Sequence, residues 1–135
     1  MSTTQQILTA IASQLAANLT GVETSDYLRD NFNAPIAIPW PKEVRYHGAM
    51  DGGDVEHDIV VAVIINRQSE RAAATQIAQF LSYGDTNSIR AALEQDQTLG
   101  GVVDDLVCTD GRVASIITVN AAEYIRLDFN VTVFP

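Results

Sequence analysis

The sequence predicts an α+β fold, an antiparallel β-sheet with helices packed on one face. Three observations predict it. Apolar residues recur at helical spacing near the N-terminus and again in the middle of the chain. Two long stretches alternate in the manner of strands. The resulting order of helix, strands, helices, strands segregates the two kinds of element instead of alternating them one by one. The chain has 135 residues, of which 47% are apolar and 19% charged, enough for one core and too few for two ordinary domains. The expectation is therefore one domain over 1–135.

The first helix is expected over 3–19. Ile7, Leu8, Ile11, Leu15 and Leu19 make one stripe at spacings of three and four, Thr3 and Gln6 have capping-box spacing, and Gly21 suits a stop. Residues 22–41 read as a connection, because Pro35, Pro39 and Pro41 forbid a regular helix; Ile36 to Trp40 suits a short edge strand. Residues 43–65 read as a β-hairpin, with Val44 to His47 leading into the turn signal Asp51-Gly52-Gly53-Asp54. In its return strand Ile59, Val61, Val63 and Ile65 share one face and Val60, Ala62 and Ile64 the other. Such a strand needs cover on both faces, and a second subunit is one source of it.

Helical spacing returns over 69–83, with Ala73, Ile77, Phe80 and Leu81 inward and Gly84 as a stop. A short helix follows over 88–94, with Asn87 as N-cap and Ile89, Ala92 and Leu93 inward. Gly100-Gly101 breaks it. Residues 102–109 suit an irregular or helical piece that enters a strand at Leu106. Asp110-Gly111 reads as a tight turn before a strand over 112–119. The closing strand, 124–134, alternates cleanly: Ile125, Leu127, Phe129, Val131 and Val133 on one face, Arg126, Asp128, Asn130 and Thr132 on the other.

Charge narrows the function classes. Seventeen acids face eight bases, for a net charge of -9. Seven of the bases are Arg and one, Lys42, is Lys. Gripping nucleic acid through the overall field requires the opposite balance. A single cysteine, Cys108, excludes an internal disulfide, a Cys-rich zinc site and a CxxC redox pair; its apolar neighbours suggest a buried, inert thiol. No run approaches the ~18 apolar residues of a membrane span, so no membrane partner is expected. The start, Met1-Ser2-Thr3-Thr4-Gln5-Gln6, lacks the basic and apolar regions of a secretory signal.

Candidate chemistry is sparse. Asp51, Asp54, Glu56 and Asp58 with His57 form an acidic stretch that attracts the idea of a hard cation, but its spacing is not that of an EF-hand loop and the glycines already explain a hairpin tip. His47 and His57 flank that tip, and a tight hairpin sets His47 across from Asp58; this is the material for a small ligand-binding or hydrolytic α+β domain. Asp104 and Asp105 are adjacent in sequence and ill placed to face each other across a substrate. GxSxG, Walker A, GxGxxG and HExxH motifs are missing. The reading is of no catalytic residue, no cofactor and no metal: a chain that works by shape and association.

A resemblance adds to this. The runs Ser69-Glu70-Arg71-Ala72-Ala73, Gln79-Phe80-Leu81 and 88–106 (SIRAALEQDQTLGGVVDDL), followed by a Gly-containing turn, a strand and Ala122-Glu123-Tyr124 opening the closing strand, resemble tail-terminator (tail-completion) proteins of long-tailed bacteriophages, from the head-tail joining region. The likeness is sharpest over 69–134 and looser towards the N-terminus. It implies a virion structural protein: a homo-oligomeric ring, commonly a hexamer, at the head-proximal end of the tail, assembled in the host cytoplasm. The ring would stop the tail-tube protein from polymerising, meet the head-tail connector or stopper protein, and let DNA pass through its channel without specific binding. An acidic balance suits a channel that repels phosphate. Connector, stopper and tail-tube proteins are the neighbouring readings, although the short loop from Gly48 to Asp54 suits a stacking tube protein poorly. Trp40, Tyr46, Asp104, Asp105 and Arg126 are the interface candidates, being aromatic or polar positions without a clear core role.

Overall fold

The computed structural model describes residues 4–19, 22–25, 35–46, 55–66, 70–84, 88–119 and 122–134. In chain order they form α1 (Thr4–Asn18), β1 (Glu23–Thr24), β2 (Ile36–Tyr46), β3 (Val55–Asn66), α2 (Glu70–Leu81), α3 (Ile89–Glu94), β4 (Asp105–Val119) and β5 (Ala122–Phe134). The strands make one sheet in the order β1-β2-β3-β5-β4. It is mixed: β1 runs parallel to β2, and every other pairing is antiparallel. The helices lie against one face.

The core follows the expected stripes. On α1, Ile7, Ile11 and Leu15 lose all exposure, which is worth roughly 2 kcal/mol of apolar transfer per side chain. They meet Ile59, Val61, Val63 and Ile65 of β3 and Leu127, Phe129, Val131 and Val133 of β5, so one face of the sheet and three helices share a single cluster. Ile89, Ala92 and Leu93 bring α3 into it. The opposite face of β3 is also apolar, and the chain itself covers part of it. Ile36, Ile38 and Ile64 are buried in a second, smaller cluster against Ile117 and Tyr124.

Several elements differ from the sequence reading. Pro39 and Pro41 do not end a short strand, because β2 runs through both and bulges between Pro41 and Glu43. Glu23 and Ser25 donate their N–H groups to the carbonyls of Pro35 and Ala37, so the odd-numbered residues of β2 turn their backbone groups towards the outer edge. Pro39 and Pro41 continue that series beyond the end of β1, where a missing N–H has no ladder partner to lose. The N-cap of α3 is Ser88, whose hydroxyl accepts from the Ala91 N–H and donates to the Ser82 carbonyl. Asn87, expected in that role, lies outside the described residues. Leu81 is more than a third exposed, at the last turn of α2, instead of joining the core.

The largest correction concerns Asp110-Gly111. It is no turn: β4 passes straight through it, with irregularities between Cys108 and Asp110 and between Val113 and Ser115. Gly111 is needed for a close approach. A Cβ there would stand 2.5 Å from two carbons of the Phe129 ring. Upstream, Leu99, Gly100 and Gly101 all adopt positive φ, turning the chain from α3 into β4. Asp96 secures that bend, its carboxylate accepting from the Thr98 N–H and hydroxyl and from the Gly100 N–H. These bonds hold its pKa below the ordinary value.

Candidate assembly surface

The face of the sheet away from the helices carries the even-numbered residues of β3 and β5. Across it, Trp40, Val60, Asn130 and Asp110 make one row, Ile38, Ala62, Asp128 and Arg112 the next, and Ile36, Ile64, Arg126 and Ser115 a third. Apolar residues occupy the β2 side and polar ones the β4 side. The face is concave: Ile38 and Trp40 of β2 and Ile117 of β4 line one groove with Ala62, Ile64 and Arg126, although β3 and β5 lie between the two outer strands. Bulges sharpen local twist, and β4 has two irregularities. The groove holds about 230 Å³.

Of the five interface candidates, the structure brings Trp40 and Arg126 together. Trp40 is 55% exposed on one wall of the groove. Arg126 donates from Nε to the Asp128 carboxylate at 2.7 Å, which fixes its guanidinium beside the apolar floor. This combination suits a partner segment that offers an apolar side chain and an acceptor. The other candidates gather at a different end of the sheet. The Asp104 N–H donates to the Phe134 carbonyl at 2.8 Å, and Asp105 pairs with Phe134 where β4 begins. Asp104 is exposed; Asp105 is half-buried and accepts the Leu106 N–H. The Tyr46 backbone pairs with Val55 at that same end, and its side chain lies outside the described residues.

Sequence reasoning missed other exposed apolar side chains: Val113 (50%), Ile116 (54%), Phe134 and Tyr83. Val113 and Ile116 sit on the helix side of β4, opposite Leu127 and Ile125, and each is at least half exposed. Strict alternation puts Val113 and Ile116 on opposite faces; the irregularity between Val113 and Ser115 brings both to the helix side. Tyr83 stacks under Arg90, 3.7 Å from guanidinium carbon to ring centroid. Arg90 pairs with Glu94 at 3.0 Å, and Glu94 accepts the Cys108 N–H at 3.1 Å. This chain of contacts ties the end of α2 to α3 and β4.

The candidates for chemistry are dispersed. Asp58 stands opposite Glu43, not His47, and accepts from the Thr132 hydroxyl at 3.4 Å. His47, Asp51 and Asp54 lie outside the described residues. His57 points to the helix side, opposite Val133, away from Glu56 and Asp58. It is buried, its Nδ1 has no hydrogen-bond partner among the described residues, and desolvation lowers its pKa from 6.5. Cys108 is buried, and desolvation with the charges of Glu94 and Asp110 pushes its thiol up to about 11. At neutral pH it is not a nucleophile. Among the described residues no three His, Cys, Asp or Glu side chains group so as to hold a metal, and no helix is long and apolar enough to cross a membrane. Comparison of the chain with protein-family models and with curated proteins finds no match.

Proposed function

We propose that this chain is a virion structural protein, a phage tail terminator. It forms an oligomeric ring, hexameric by the resemblance, that caps the tail tube at its head-proximal end, meets the head connector and lets DNA pass. The observation that carries the reading is the resemblance over 69–134. The described part of that stretch comprises α2, α3, the Gly100-Gly101 bend and the long antiparallel pair of β4 and β5. It leaves Val113, Ile116 and Phe134 exposed, and the neighbouring groove exposes Trp40. Exposed apolar surface of this kind suits a chain that acts by association. The net charge of -9 suits a lumen through which a phosphate backbone slides.

A ring needs a head-to-tail contact that closes on itself. The groove with Trp40 and Arg126 is the concave half such a contact requires. The test is the native mass by light scattering, with negative-stain images of the main peak. A ring of about six subunits with a central hole is the expected result once tail tubes are present. Rings that form equally well with Trp40→Ala and Arg126→Ala would remove the groove from the contact.

A further inference from the structure

Strand β4 ends the sheet, and among the described residues nothing pairs with its outer edge. It is 15 residues long. Every residue from Thr109 to Ile116 is exposed, on both faces of the sheet. The strand contains no proline, and between Leu106 and Val119 only Asp110 and Arg112 are charged. A long edge without proline is a template for another strand, and between its two irregularities residues 110–113 keep a regular register with β5. The opposite edge is defended. There β1 covers the start of β2, and Pro39, Pro41, Lys42 and Glu43 follow. A β4 edge therefore cannot extend along the β2 edge of a neighbouring copy.

We propose that the β4 edge pairs with the β4 edge of a second copy, antiparallel, with Gly111 on the two-fold axis. Charge decides the register. Asp110 and Arg112 both lie on the concave face, opposite Asn130 and Asp128. A centre at Gly111 sets each Asp110 against the Arg112 of the second copy, twice. A centre at 110 sets Asp against Asp, and one at 112 sets Arg against Arg, both of which repel. Arg112 has no hydrogen-bond or ion-pair partner among the described residues, so it is available. On the helix side the exposed apolar residues sit around the same axis. A Leu81 methyl carbon comes within 3.2 Å of where a Gly111 Cβ would be, and Val113 flanks it. Pairing covers them from water in both copies and completes the backbone ladder. A two-fold contact closes on itself, so this pair is separate from the head-to-tail contact of a ring and does not depend on it.

The experiment is sedimentation velocity over a concentration series on the full chain and on variants whose circular dichroism matches wild type. Wild type is expected as a dimer. Arg112→Asp places acids on both sides and is expected to weaken the dimer roughly tenfold or more. The double variant Asp110→Arg with Arg112→Asp restores the opposed charges and is expected to restore dimerisation. Val113→Lys, which leaves the core intact, is expected to give monomer. A wild-type monomer at every concentration overturns the proposal. So does a native mass, of whatever value, that Arg112→Asp leaves unchanged, or a double variant no better than the single one.

Discussion

Gly111 shows how one residue settles an element. Its neighbour across the sheet is Phe129, whose ring fills the space a side chain would need. Gly111→Ala forces that buried ring to move, an overpacking expected to cost ~1–3 kcal/mol in chemical denaturation. A variant as stable as wild type would mean the ring relaxes freely. His57 makes a second residue-scale prediction. Burial holds its folded pKa below 6.5, so the unfolded chain takes up the proton first as pH falls. Its contribution is intact above about pH 6.5 and is lost as pH drops from there towards the folded value. Denaturant midpoints between pH 7.5 and 5.5 should fall with acidification in wild type, and His57→Leu should flatten that slope. An identical slope in the variant would assign the pH dependence to another group.

At the scale of elements, α1 and β5 were legible because their periodicity and their burial coincide. Ile7, Leu8, Ile11, Leu15 and Leu19 are all buried, and so are Leu127, Phe129, Val131 and Val133. Leu93, fully buried on α3, was equally visible; Leu93→Ala should cost about 2–5 kcal/mol, read from thermal or urea unfolding. Asp110-Gly111 reads as a turn because the dipeptide carries no sign of its partner, whereas in the fold it lies in the strand in register with Asn130 and Phe129, and the Phe129 ring, far along the chain, is what calls for the glycine. Strand β1 escaped notice because two residues carry no pattern. The candidate site was half legible. Trp40 and Arg126 were named from their residue types, but their meeting in one groove comes from the curvature of the sheet. Spacing puts Leu81 in the core, yet the helix ends there and its side chain, partly exposed, lies against the β4 edge beside Gly111. The bend after α3 gives a further check. Asp96→Ala removes the acceptor for Thr98 and Gly100 and should lower the melting temperature, with no change in the far-ultraviolet spectrum.

At the scale of the whole molecule, the fold divides its labour by face. The helix side holds the main cluster, while the concave side and the β4 edge expose apolar residues next to acidic ones. An acidic domain with uncovered apolar surface is suited to binding protein and poorly suited to gripping DNA. The most direct measurement is to add the purified protein to phage tail tubes and image them in negative stain. The tail-terminator reading predicts a ring-shaped cap on one end of each tube and arrested elongation when free tube protein is supplied. Tubes that stay bare at both ends and lengthen at the same rate would contradict it.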